Sequence, residues 1–155
     1  MRLLYTTLLF VHLVGVVVWV GGMFVLHFAV RPAAASQLLP PQRLPLLARA
    51  LERFFFWVSV AIVAILASGI GLILGAGGMA NAHVSVHLML AIGAAMMAIF
   101  LFIRFVPFPR LQLAVVASDW PTAAANLDLI RRLVVTNLAL GLVTIAVATI
   151  GRAIL

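Results

Sequence analysis

The chain has 155 residues, of which 66% are apolar and only 8% charged. A soluble domain carries roughly a quarter charged residues, so this composition excludes a water-soluble fold and makes the lipid bilayer the solvent. The formal net charge of +7 comes from ten arginines and no lysine, against Glu52, Asp119 and Asp128, and the absence of cysteine excludes disulfides, iron–sulfur clusters and thiolate metal sites.

Four apolar runs exceed the roughly 18–20 residues needed to cross a hydrocarbon core. They predict helices over about 3–30, 52–75, 83–105 and 129–152. In lipid only a helix or a closed barrel satisfies its own backbone, and none of these runs alternates with period two. The predicted fold is an all-α membrane protein, an antiparallel four-transmembrane-helix bundle, with residues 1–155 forming a single integral membrane domain. The first run extends from Leu3 to Val30. That is nearly twice the length of a signal-peptide core, about 7–15 residues, so it reads as a membrane helix.

The first helix carries His12 in "LLFVHLVGVVVWVGG" and His27 near its far end. The connection after it holds Arg31, Arg43, Arg49 and Arg53, with prolines at 40, 41 and 45 and then a helical pattern that feeds the second span. The second connection, "GAGGMANA", is uncharged. Arg104 lies near the end of the third helix, and the last connection contributes Arg110, Arg131 and Arg132. These arginines mark the ends of apolar runs rather than a solvated face, so nucleic acid is not an expected partner; the bilayer is. Positive residues favour the cytoplasmic side. Both termini and the 75–82 turn are therefore expected on the outer side, the periplasm if the membrane is a bacterial inner (cytoplasmic) membrane. Trp57 and Trp120 fit an aromatic belt on one side and Tyr5 on the other. Ser118 or Asp119 is a candidate N-cap for a fourth helix that begins in water, with Pro121 in its first turn. Glu52, Asp119 and Asp128 are expected as solvated partners of Arg53, Arg131 or Arg132.

The stretch "NAHVSVHLML" places His83 and His87 at the start of the third helix. At 1.5 Å per residue His12 lies roughly 12 Å, and His87 about 6 Å, below the outer ends of their helices, with His27 some 22 Å further along helix one. Gly15, Trp19, Gly22 and Leu26 share the side of His12, and Ala91, Ala94 and Ala98 continue that of His87. Ser68, Gly71 and Gly75 form a stripe on helix two, and Asn137, Gly141, Thr144 and Ala148 one on helix four. Small residues on an interior face admit close helix packing or a flat ligand. The plainer reading is that a membrane histidine is an interhelical hydrogen-bonding group, that His83 is interfacial and that His27 is structural. Against it stands the coincidence of two imidazoles at similar depth, since intramembrane ionisable residues point to function.

"HLVGVVVWVGGMFVLHFAVRP", with its H-x6-W-x-G-G pattern, resembles the first helix of CopD-like membrane proteins. "RFFFWVSVAIVAILASGIGLIL" resembles their second, and the segment from "VHLMLAIGAAMM" to "RRLVVTNLALGL" is similar to their third and fourth. The resemblance implies copper uptake or resistance. The chain is also distantly similar to the HemJ-type protoporphyrinogen oxidase, which binds haem b. That family's first helix resembles this one at His12, Trp19 and Gly22, but its third carries a lysine where this chain has His87.

Two cofactors are open at this point. Haem b would take His12 and His87 as axial ligands in an apolar slot between helices, with Met89 the substitute if His12 lies too deep, Trp19 near the macrocycle and Arg152 and Arg2 near the propionates. The role would be redox or electron transfer, with a quinone or another redox partner, and a homodimer is a compatible assembly. Copper is the rival, because imidazole and thioether suit Cu(I); His83, His87 and Met89 would make a shallow site. Met23, Met79, Met96 and Met97 form no ladder across the bilayer. A non-catalytic scaffold is the third reading. The topology is directly testable: a periplasm-active reporter fused after Leu155 should be active, and a cytoplasm-active one silent; the reverse pattern overturns the shared outer depth of His12 and His87.

Overall fold

A computed structural model describes the backbone of residues 2–154 and the side chains of residues 2–151. Among the described residues there is no strand. Four helical stretches are long and apolar enough to cross a membrane. They are α1 (Arg2–Gln37), α2 (Pro40–Gly75), α3 (Val84–Phe105) continued by α4 (Pro107–Val116), and α5 (Trp120–Ile154). The all-α, multi-pass expectation holds.

The helices outrun the predicted spans. α1 reaches Gln37, α2 starts at Pro40 and α5 at Trp120. A 36-residue helix such as α2 is about 54 Å long, against about 30 Å of hydrocarbon. The surplus lies at the arginine-bearing ends. Composition explains the extension of α2: Pro40 and Pro41 occupy its first turn, where a missing N–H costs nothing. At α5 the exposed Asp119 is the cap, its Oδ1 accepting from the Thr122 N–H at 3.2 Å. That bond and the Thr122 side chain hold the Asp119 carboxyl below its ordinary range. Glu52 pairs with Arg49 at 2.8 Å rather than with Arg53, and Asp128 pairs with both Arg131 and Arg132.

Two features were not predicted. α1 is not uniform: Val17–Gly21 and Leu26–Val30 are π-helical turns. And α4 is a separate amphipathic helix. Pro107 crowds the residue before it, and Val106 sits at a distorted right-handed φ −113°, ψ −76° where the α3 helix gives way. Beyond this break Phe108, Leu111 and Ala114 bury one face of α4 against α5. At the other end of the molecule, Gly77 and Gly78 take positive φ, and the Gly78 N–H returns to the Ile73 carbonyl at 2.9 Å, closing α2 as a Schellman-type cap.

α1 packs along α2, and α3 with α4 packs along α5. Four aromatic rings join the elements. Phe55 of α2 meets Phe100 of α3 and Phe108 of α4 edge-on at 5.7 and 5.0 Å, and Trp19 of α1 meets Phe100 at 6.4 Å. All four are buried. Edge-to-face pairs at these separations add roughly 0.5–1.5 kcal/mol each beyond area burial.

Glycine sets how closely the helices approach. A Cβ at Gly22 would run into the Phe54 ring, and one at Gly141 would come within 2.9 Å of Val20, whereas one at Gly21 meets nothing. Gly22→Leu should therefore lose roughly 1–3 kcal/mol of stability through overpacking, read as a lowered thermal transition in detergent. Gly21→Ala should lose none. Equal behaviour of the two variants would place Gly22 against lipid.

Candidate functional site

His12 is the most constrained of the candidate residues. It is half-buried in α1 and faces α2, where its Nδ1 lies 3.2 Å from the Ile65 carbonyl and 3.2 Å from Ser68 Oγ. Ser68 is 1% exposed and donates back to the Ala64 carbonyl at 2.5 Å. Its hydroxyl hydrogen is used within its own helix, so an Nδ1–H on His12 donating to Ile65 O and Ser68 Oγ is the tautomer that satisfies all three groups. Gly69 makes room: a Cβ there would sit 3.4 Å from the imidazole Cε1. The local logic is an interhelical hydrogen bond seated on a small-residue step, the plainer of the two roles open to a membrane histidine.

His83 and His87 stand at the other helix pair. His83 is the N-cap of α3, its Nδ1 accepting from the Ser85 N–H at 3.3 Å and lying 3.0 Å from Ser85 Oγ. His87 is exposed, with Nδ1 3.4 Å from the His83 carbonyl. His83 precedes the first turn of α3 with extended backbone, His87 lies within that turn, and each keeps Nε2 clear of these bonds.

The two small-residue stripes expected to line a slot beneath the histidines differ in exposure. Ala91, Ala94 and Ala98, in line with His87, are all exposed, so this stripe lies on the outside of the chain rather than against α1. No hydrogen bond joins His12 to His87; the partners of His12 are on α2 and that of His87 is on α3. Trp19 is buried in the aromatic core against Phe100, where its ring is a packing element and not the wall of an open slot. Met89 is half-buried two residues from His87, and side chains so spaced on a helix do not face each other. Arg2 is exposed at the start of α1, and the Arg152 side chain lies outside the described residues. Residues that fit haem b would present two axial donors across one apolar gap. The two imidazoles share no hydrogen bond and no common partner among the described residues. Nor do any three His, Asp or Glu side chains among them gather as a metal-holding group.

Sequence reasoning placed Ser68 on an interior stripe but did not pair it with His12. The buried Asn137 was likewise read only as part of a stripe. Its Nδ2 donates to the Met96 carbonyl at 3.3 Å, joining α5 to α3, while Oδ1 has no hydrogen-bond partner.

These features define a polytopic α-helical membrane protein with a histidine pair at the mouth of one helix and a half-buried imidazole locking two others. Residues 48–150 match the family model described as Copper resistance protein D, and with more than half of the chain covered, the protein belongs to that family. No curated protein and no solved structure matches the chain. The family match contains His83, His87 and Ser68 and begins after His12 and Trp19.

Asn137 yields a test of the packing. An unsatisfied buried acceptor costs about 1–3 kcal/mol, which matches or exceeds the roughly 0.5–1.5 kcal/mol that the Nδ2 bond to the Met96 carbonyl contributes. Asn137→Leu should thus leave the thermal transition in detergent unchanged or raise it. A fall equivalent to more than about 3 kcal/mol would mean that Oδ1 is bonded in the native membrane protein.

Proposed function

We propose that the chain is a copper-handling protein of a bacterial cytoplasmic membrane, with Cu(I) as its cargo and His83 and His87 as the residues that first engage it. The observation that carries this reading is the Copper resistance protein D match over residues 48–150, which includes both histidines. Their chemistry agrees. Imidazole is a suitable Cu(I) donor, and the two histidines stand at the same end of α3, one as its N-cap and one in its first turn. His87 is exposed, His83 is partly so, and the Nδ1 contacts orient both rings through their own helix end. The bilayer is the protein's solvent, and the arginine asymmetry supports a topology in which both termini and this histidine mouth face the periplasm.

His12 has a different part in this reading. Its bond to Ser68 holds α1 against α2, and it needs no metal to do so. The haem b reading, with its electron-transfer role and quinone partner, finds no support in the outward stripe beneath His87.

The protein purified in detergent should be colourless and should compete with a chromophoric chelator for Cu(I). His83→Ala and His87→Ala should each weaken that competition by about tenfold, the order lost when a supporting group of a metal site is removed. His27→Ala should leave it unchanged. A Soret band in the purified protein, or full Cu(I) retention by the His83→Ala/His87→Ala double variant, overturns the proposal.

A further inference from the structure

The arginine-rich end of the molecule holds two adjoining cavities among α1, α2 and α5, far along α1 from His12. They share Arg31, Leu47, Leu127 and Arg131. One cavity is mixed: Arg31, Arg43 and Arg131, with Asp128 as the carboxylate beside them, line it together with alanines and leucines. The other continues from it between hydrocarbon side chains, Leu26, Leu51, Ile130 and Val134, with His27 at its wall.

The charges in the polar part do not cancel. Asp128 is engaged by Arg131 and by Arg132 outside the cavity, and neither Arg31 nor Arg43 has a carboxylate within ion-pair distance among the described residues. Both are only partly exposed. Two guanidinium groups are thus held, without counter-charges from the chain, at the rim of an apolar slot.

We propose that this is a binding site for an anionic phospholipid, with the headgroup phosphate on Arg31, Arg43 and Arg131 and an acyl chain in the slot between α1, α2 and α5. Guanidinium forks match phosphate oxygens and take them in pairs. A free phosphate would satisfy the arginines but leave the contiguous apolar part unused. A neutral lipid would fill the slot and leave the arginines unpaired. Only an amphiphile carrying net negative charge on a phosphate uses both halves. Basic pockets between transmembrane helices at the arginine-rich face are where such headgroups are held. The occupant would tie the end of α1 to the starts of α2 and α5, a junction where no ion pair joins the three.

The site is independent of copper, so its test reads lipid alone. The full-length protein in a neutral detergent is titrated with phosphatidylglycerol, phosphatidylcholine or inorganic phosphate, and thermal stability and lipid adducts by native mass spectrometry are recorded. Phosphatidylglycerol should raise the transition and stay bound, with the other two doing neither. Each arginine removed, in Arg31→Gln and Arg43→Gln, should weaken phosphatidylglycerol binding about fivefold, the equivalent of ~1 kcal/mol for a basic residue at an anionic lipid. Arg110→Gln, outside both cavities, should not change it. Equal effects of the two lipids, or an equal effect of inorganic phosphate, overturn the proposal without any variant. Undiminished binding by the Arg31→Gln/Arg43→Gln double variant overturns it as well.

Discussion

A backbone that crosses hydrocarbon must find every hydrogen bond within the protein, and the rest of this structure follows from that. Once each segment is helical, its N–H and C=O groups are spent internally, and helices can be joined only by shape and by a few side chains. Shape comes from Gly15, Gly22, Gly71 and Gly141, where an added Cβ would collide with a residue of another helix. The polar joints are sparse, and two land on backbone carbonyls: His12 on Ile65 from α1 to α2, and Asn137 on Met96 from α5 to α3. The aromatic contacts of Phe55 and Trp19 with Phe100 connect the two helix pairs that these joints create.

The two ends of the molecule therefore do different chemistry. Among the described residues no arginine or carboxylate is in hydrogen-bond contact with His83 or His87, and the rings are oriented by Ser85 and by the His83 carbonyl. Imidazole donors in that setting suit a soft cation. The other end carries Arg31, Arg43 and Arg131 around an apolar slot and suits an anion with a hydrocarbon tail. Membership of the Copper resistance protein D family bears on the first end through residues 48–150. It says nothing of Arg31 or Arg43, which lie before the match.

Much of the architecture was legible because the bilayer imposes a length and a composition on each span. The four crossings, the cap at Asp119 and the helical lead into α2 could all be read from runs, prolines and charges. The candidate site was less legible, for a specific reason. Helical periodicity tells which residues share a side, as His87 does with Ala91, Ala94 and Ala98, but it does not tell whether that side meets a neighbour or lipid. In a chain this apolar the usual cue, polar outside and apolar inside, is lost. Small residues suggested an interior, and that stripe proved exposed. His12 went the other way: its side was read correctly as interior, but its partner is Ser68 of α2 rather than a residue of α3. α4 falls between the third and fourth predicted spans because it is too short to cross a bilayer, and Pro107 at its first turn begins it as a separate helix.

The π turns of α1 bear on how this helix tolerates editing of its length. A π turn closes with an i→i+5 bond and so stores one residue more than the α turns beside it. Removing a single residue within Val17–Gly21 would let that turn relax to α geometry while the segments before and after it keep their facing. Removing one between His12 and Gly15 has no such reserve. It would turn everything N-terminal to the cut by about 100° relative to the rest, swinging the imidazole away from Ser68. Within one helix, then, a few residues are expendable in number though not in position, and their near neighbours are fixed in number by a single hydrogen bond.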